Sequence, residues 1–260
     1  MTEELISLES LSYSRNKTSL LSSIDLKVFK GENWVILGAN GSGKTTLINL
    51  LYGYLSPTSG KIKIFGETFG ETILRPIQKR IGILESTQQN SLLQKNLTVK
   101  EVLLTGLVPS IGFYHEPSQK DISKVESILK ENLWISNPDQ IFSTLSSGEK
   151  QKILLLRAII HDPEILILDE PCSAMDIGAR EEFLNLLDEK LHNRKSSAIL
   201  ITHRIEEISS RFTHVLLLKD GKKIFSGKIV DGLSSEFLSI CYKIKLKVYA
   251  EKGRYFAVPE

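Results

Sequence analysis

The segment GANGSGKT occupies residues 38–45 and matches the pattern G-x-x-x-x-G-K-[ST]. It follows the run Asn33–Leu37, which predicts a buried strand, and it opens the run Thr45–Leu51, which is typical of a helix. A glycine-rich turn here lets backbone N–H groups point inward at phosphate oxygens, and the helix N-terminus adds positive potential. An ordinary strand-to-helix turn is the alternative, and the Lys-Thr ending argues against it.

Two side chains of this loop have specific predicted roles. Lys44 would reach the β- and γ-phosphates of a bound nucleotide, and the Thr45 hydroxyl would bind Mg²⁺. The residues of this loop that we predict to contact the nucleotide are Gly38, Ala39, Asn40, Gly41, Ser42, Gly43, Lys44, Thr45 and Thr46.

A second motif, Ile165–Leu168 followed by Asp169 and Glu170, predicts a buried parallel strand that ends in two carboxylates. Ligands of α/β sheets gather at this end of the strands. Asp169 can hold Mg²⁺ through water, and Glu170 can polarise an attacking water. A solvated acidic turn is the alternative, which the upstream loop disfavours. Together the two motifs predict a nucleoside triphosphatase without indicating which kind.

The composition restricts where such an enzyme could work. The 260 residues carry 33 Lys+Arg against 31 Asp+Glu, a net charge of +2, so no global basic field favours nucleic acid. Two cysteines without metal-ligand spacing fit a reducing cytoplasm. We expect no signal peptide at the start, and the apolar runs are too short to span a bilayer. Any membrane role would therefore come through a partner.

The remaining pattern predicts an α/β fold. Short strands at Leu5–Leu8 and Ile24–Phe29, joined by a polar connection containing Tyr13, predict an N-terminal antiparallel β portion. Helical spacing in Val99–Leu107 and Asp121–Asn132 predicts a helical subdomain over about residues 92–160, inserted in the core. Strands and a helix then alternate, which indicates a mostly parallel sheet. We expect one domain over residues 1–260.

The segment Leu145–Glu149, with the sequence LSSGE, resembles the signature of the ABC ATPase family, usually written L-S-G-G-Q. Residues Ser146, Ser147, Gly148 and Glu149 would then close over the γ-phosphate of an ATP held by the opposite subunit, with departures from the usual pattern at Ser147 and Glu149. Ser146 and Glu149 also form a capping-box pattern, compatible with this interpretation. Glu149 would bring a carboxylate near the phosphate unless the capping bond turns it away.

Further family positions follow along the chain. Ser173–Asp176 resembles the loop that crosses the dimer interface, and His203 stands where the family's γ-phosphate-contacting histidine is found. Tyr13 resembles the aromatic residue that stacks on adenine, with a structural tyrosine in a strand as the alternative. Gln89 is our choice for the glutamine that contacts Mg²⁺ and senses the permease, with the adjacent Gln88 left open.

The resemblance extends from Tyr13 to Gly227 and is nearest to the group of molybdate and iron-chelate importers. The clues to that group are Leu103–Gly106, Ser110–Tyr114, Phe212–Gly221 and the tail Tyr255–Pro259.

This resemblance implies an ATPase with ATP and Mg²⁺ as ligands and Glu170, His203 and Gln89 as catalytic residues. It would form a head-to-tail homodimer, or pair with another ATPase subunit, on binding ATP, and it would join integral membrane permease subunits at the inner face of the cell membrane. The alternatives are a soluble ABC-type ATPase acting on ribosomes or nucleic acid, and an ATP-binding regulator without turnover. One cassette and no extended heptad run disfavour the first. Intact Glu170 and His203 disfavour the second.

Overall fold

The computed structural model describes residues 3–85, 96–107, 117–192, 194 and 196–260. Its strands are β1 (Glu4–Arg15), β2 (Thr18–Phe29), β3 (Trp34–Leu37), β4 (Ser59–Ile64), β5 (Glu67–Thr68), β6 (Ile81–Leu84), β7 (Ile165–Asp169), β8 (Ser197–Thr202), β9 (His214–Lys219), β10 (Lys222–Lys228), β11 (Leu246–Glu251) and β12 (Arg254–Pro259). Its α-helices are α1 (Lys44–Leu51), α2 (Leu74–Gln78), α3 (Val99–Leu104), α4 (Gln119–Glu131), α5 (Ser147–Ile159), α6 (Ile177–His192), α7 (Ile229–Gly232) and α8 (Ser235–Tyr242). The predicted α/β class is confirmed.

The chain forms two compact units. The first combines Met1–Gln78 with Arg194–Glu260, and the second is Lys79–Asn193. Each unit contains strands that end next to predicted site residues.

The first unit contains the predicted antiparallel β portion, a sheet of order β2-β1-β4-β5. Ile6 pairs with Val28 on one side and Ile64 on the other, and all three side chains are buried. Both β1 and β2 extend over 12 residues, beyond the predicted strands. Tyr13 therefore lies within β1, paired with Leu21, and its predicted location in a polar connection is wrong. Long antiparallel pairing satisfies the backbone hydrogen-bonding groups of these polar residues. Their composition alone did not predict that they form a strand.

The first unit also contains a parallel core, in which β3 lies between β8 and β9. Every residue of β3 is buried, as expected of a strand covered on both faces. Strand β10 returns antiparallel to β9 through Asp220 and Gly221, whose φ angles of 48° and 74° suit a tight hairpin turn. Strands β11 and β12 form a terminal antiparallel hairpin.

The second unit contains the parallel pair β6 and β7 and, within its described residues, the helices α3 to α6. Helix α5 packs against α3 and α6. Capping boxes begin α3, α4 and α5, at Thr98, Ser118 and Ser146. Among the described residues, none of the helices combines the length and apolar character needed to cross a bilayer.

Candidate nucleotide site

The predicted phosphate-binding loop joins β3 to α1 in the first unit. Gly41 and Gly43 have φ angles of 80° and 103°, in the left-handed region where glycine is favoured. Helix α1 begins at Lys44 directly after Gly43, and no side chain among the described residues caps its N-terminus. The loop thus curls into a helix start whose backbone amides are suited to an anion.

Two glycines of the loop are required by close packing. A Cβ at Gly38 would lie 2.3 Å from the Leu218 carbonyl oxygen and 2.6 Å from Ser42 Oγ. A Cβ at Gly43 would lie 2.7 Å from Leu21 Cδ2. The Gly221 N–H donates to the Ser42 carbonyl at 3.1 Å, so the β9–β10 hairpin also supports the loop.

Lys44 is buried, with 5% of its surface exposed. Its Nζ donates to the carbonyl oxygens of Gly38 at 2.8 Å and Ala39 at 3.2 Å. The cation therefore lies inside the curl of the loop. Thr45 is exposed and Thr46 half-buried at the first turn of α1.

His203 lies at the same end of the parallel strands as this loop. Leu37, the last residue of β3, pairs with Thr202, the last residue of β8. Gly38 and His203 therefore leave neighbouring strands at the same level. The His203 carbonyl accepts a hydrogen bond from Tyr242 Oη at 2.7 Å. Nothing in the sequence motif indicated this contact.

Tyr13 is connected to the loop through its strand partner. It is half-buried in β1 opposite Leu21, the residue that lies against Gly43. The structure thus places Tyr13 one strand away from the phosphate-binding loop, within the same unit.

The predicted carboxylates lie in the second unit. Asp169 ends β7, and Glu170 follows with a φ of 45°, uncommon for a residue with a side chain. Leu84 pairs with Leu168, which brings Glu85 level with Asp169. Glu85 is 6% exposed, and sequence reasoning did not select it. The sequence feature that could have identified Glu85 is a carboxylate directly after an apolar strand.

Gln88 and Gln89 lie outside the described residues, as does Ser110–Tyr114. The choice between the two glutamines therefore remains a prediction.

The signature segment begins α5 with a complete capping box. Glu149 Oε2 accepts hydrogen bonds from Ser146 N at 2.9 Å and Ser146 Oγ at 2.7 Å. The side-chain bond from Ser146, followed by the backbone bond, lowers the pKa of Glu149. The carboxylate is thus turned onto its own helix start. Of the two orientations left open by the sequence, the capping one is observed.

Gly148 lies where α5 and α6 approach closely, since a Cβ there would be 2.9 Å from Ala179 Cβ. In the segment Ser173–Asp176, Met175 is buried and Asp176 Oδ1 accepts from Ala179 N at 2.9 Å. The start of α6 is therefore stabilised by Asp176 of the segment Ser173–Asp176, and it packs against Gly148 of the signature segment.

The family model described as "ABC transporter" matches residues 21–173. The ABC transporter ATP-binding protein YlmA of Bacillus subtilis is 37% identical over 97% of this chain and 96% of its own length. The zinc uptake system ATP-binding protein ZurA of Listeria monocytogenes is 29% identical over 97% of this chain and 95% of its own.

Solved structures of ABC transporter components resemble the fold of this chain. CbiO1 from Clostridium perfringens, part of the ABC transporter complex CbiONQ, has a TM-score of 0.77 at 25% identity, covering 91% of this chain and 93% of that one. A dimeric bacterial ABC transporter cassette has a TM-score of 0.73 at 24% identity, covering 86% and 99%. The second likeness supports the fold, and the match along the sequence supports the family. This chain therefore belongs to the ABC transporter family as an ATP-binding, ATP-hydrolysing subunit.

Proposed function

We propose that this subunit powers a membrane transporter by ATP-driven head-to-tail pairing with a second ATPase subunit. The observation that carries the proposal is the pair of helix starts described above. One follows a glycine loop around a buried lysine, and the other begins the signature segment with its acidic side chain turned onto Ser146. Each ATP would lie between residues 38–45 of one chain and residues 146–149 of the other.

The phosphate-binding loop would bind the β- and γ-phosphates. Lys44 can exchange its carbonyl partners for phosphate oxygens, since an ammonium donates in three directions. The Thr45 hydroxyl and the Asp169 carboxylate are oxygen donors of the kind that Mg²⁺ prefers, and both residues have exposed surface. Mg²⁺, when bound, would neutralise phosphate charge.

Glu170 and His203 would perform the hydrolytic step. Glu170 would orient the attacking water and accept its proton, while His203 would contact the γ-phosphate. Register supports the role of His203, because β8 delivers it beside the start of the loop. Tyr13 would stack on adenine, which its position opposite Leu21 supports. Hydrolysis would reopen the dimer, so turnover depends on closure.

Gln89 would relay the state of the permease to Mg²⁺. We propose that residues 1–260 form one nucleotide-binding domain, with a helical subdomain over about residues 92–160. The subunit would lie at the inner face of the cell membrane, attached through integral membrane permease subunits. Relatives named as part of a transporter complex and of an uptake system support this arrangement.

The transported substrate would be a metal, an oxyanion or a metal chelate, taken up into the cell. The support is the resemblance to the molybdate and iron-chelate group together with the zinc uptake relative.

The test begins with Glu170→Gln, which preserves side-chain shape but cannot accept a proton. This variant should bind ATP, lose most of its turnover and dimerise in light scattering at saturating ATP. Glu126→Gln, on an exposed face of α4, is the matched control and should behave as the wild type. Monomers at saturating ATP for both Glu170→Gln and the wild type would count against the paired mechanism.

A second experiment tests the transporter assignment. The tagged chain is purified from detergent-solubilised membranes, and the ATPase activity of any complex is measured. We expect an integral membrane protein to co-purify and to stimulate turnover. Recovery of ribosomal or DNA-repair proteins, with no integral membrane protein in any detergent, would favour the soluble alternative.

A further inference from the structure

The peptide unit between His203 and Arg204 is held at both of its polar groups. Its carbonyl oxygen, on His203, accepts from Tyr242 Oη at 2.7 Å. Its N–H, on Arg204, donates to Thr202 Oγ1 at 3.0 Å. The bond to Thr202 is local, whereas the bond from Tyr242 comes from a residue 39 positions away, so a tertiary contact holds the carbonyl side of this peptide. Holding this plane restricts the ψ angle of His203, and the side-chain rotamers open to the imidazole depend on the backbone φ and ψ angles.

The hydrogen bond from the Arg204 N–H belongs to a series of two hydrogen bonds that run in the same donor-to-acceptor direction. Thr202 Oγ1 accepts from the Arg204 N–H and donates to Glu207 Oε2 at 2.6 Å. Glu207 is 2% exposed and Thr202 is also buried, so the hydrogen bond between their side chains is shielded from water. Buried hydrogen bonds in series polarise and strengthen one another. The N–H side of the peptide is therefore held firmly.

Tyr242 holds the carbonyl side from the last turn of α8. Helix α8 is tied to the terminal hairpin, because Ser239 Oγ accepts from Leu246 N and Ser235 Oγ accepts from Val248 N, each at 2.9 Å. The hairpin also reaches the same loop directly, since Arg254 Nη1 donates to the Glu206 carbonyl at 3.2 Å. The C-terminal segment thus supports the histidine loop at two carbonyls.

The Tyr242 hydroxyl is suited to this task because it remains a donor. Burial, the largest cause, raises the pKa of the phenol. The hydroxyl keeps its proton across the physiological range and can donate to a carbonyl throughout.

We propose that Tyr242 is a positioning residue for ATP hydrolysis, and that it acts by holding the His203 carbonyl so that the imidazole points to the γ-phosphate. The proposal rests on the role proposed above for His203. Tyr242 touches neither nucleotide nor water in this scheme. It gives the C-terminal segment, about forty residues further along the chain, a direct part in catalysis.

The test compares Tyr242→Phe with Tyr249→Phe in the full chain. Tyr249 lies in the same C-terminal segment, 45% exposed and stacked on Phe256 at 5.5 Å, so it controls for loss of a hydroxyl. Tyr242→Phe should lower kcat about five-fold, the factor for one net hydrogen bond, with KM for ATP unchanged. Tyr249→Phe should leave both parameters unchanged. Wild-type kcat in Tyr242→Phe would overturn the proposal.

A double-mutant cycle separates positioning from general support of the fold. In a His203→Ala background, Tyr242→Phe should have no further effect on the residual turnover, because the side chain that it positions is gone. An equal loss in both backgrounds would overturn the proposal. Full turnover in His203→Ala alone would instead refute the role of the histidine, which distinguishes the two failures.

The imidazole resonances provide a measurement that does not depend on turnover. In protein labelled with ¹⁵N-histidine, the His203 signal is assigned by its loss in His203→Ala. Tyr242→Phe should shift this signal, and Tyr249→Phe should not. An unmoved His203 signal in Tyr242→Phe would contradict the proposal.

Discussion

The contact between Gly148 and Ala179 leads to a prediction about the signature segment. In Gly148→Ala, the new Cβ would lie 2.9 Å from Ala179 Cβ, whereas carbon atoms prefer about 3.5–4.0 Å. The overlap lies between two packed helices, so the helices must shift relative to each other to accommodate the new Cβ. Helix α5 begins in the signature segment, so separating α5 from α6 would also displace the Ser146 cap.

The size of the effect follows from two opposed terms. Overpacking of this kind destabilises a protein by about 1–3 kcal/mol. Alanine in place of glycine stabilises a helix by up to about 1 kcal/mol, which partly offsets the overlap. Gly148→Ala alone should therefore lower the free energy of unfolding by about 1 kcal/mol. The overlap itself is better isolated by the compensating change Ala179→Gly.

The assay is urea unfolding of Gly148→Ala, Ala179→Gly and the double variant. Helix propensity enters each single change and cancels in the cycle, so the coupling energy reports the overlap. We expect the double variant to be about 1–3 kcal/mol more stable than the sum of the single changes predicts. ATP turnover lost in Gly148→Ala should return in the double variant. A coupling energy below about 0.5 kcal/mol would refute the packing argument.

Four further outcomes are expected. Lys44→Ala should abolish tight MgATP binding in calorimetry; unchanged affinity would remove Lys44 from the site. Tyr13→Ala should weaken ATP and GTP equally, by about 1–3 kcal/mol, whereas selective loss of ATP would indicate that other residues read adenine. Ser146→Ala should lower the free energy of unfolding by about 1 kcal/mol, and Glu149→Gln, which keeps an acceptor oxygen, by less; equal losses would contradict the capping geometry. Burial raises the pKa of Glu207 above its usual value of 4.5, so the folded state retains a proton that the unfolded state releases, and the contribution of Glu207 to stability falls as pH rises from 4.5 through the folded-state pKa. Glu207→Gln should remove that fall in urea unfolding at pH 5 and pH 8; an unchanged pH dependence would be contrary to this assignment.

The sequence alone was sufficient for features formed by neighbouring residues. A phosphate-binding loop needs its glycines, lysine and threonine at fixed spacing, so residues 38–45 identify it without the fold. The turn at Asp220-Gly221 is equally local, since its two residues supply the positive φ angles that the hairpin requires. The carboxylate pair Asp169 and Glu170 at the end of β7 could be predicted from the single apolar strand that precedes it. Family membership and ATPase activity could be predicted because their motifs are contiguous.

The tertiary structure decided what depends on residues distant in the chain. Tyr13 lies in a strand because β2 and β4 pair with β1 over its length, which local composition does not encode. The capping pattern at Ser146 left two orientations for Glu149, and the folded helix start selects the hydrogen-bonded one. The support of His203 by Tyr242 joins two segments that are distant in the chain and are brought together by the packing of α8 on β9. Motifs predict the chemistry because each reacting group belongs to a short contiguous segment of the sequence. The orientation of that group depends on side chains that the fold brings together from distant parts of the chain.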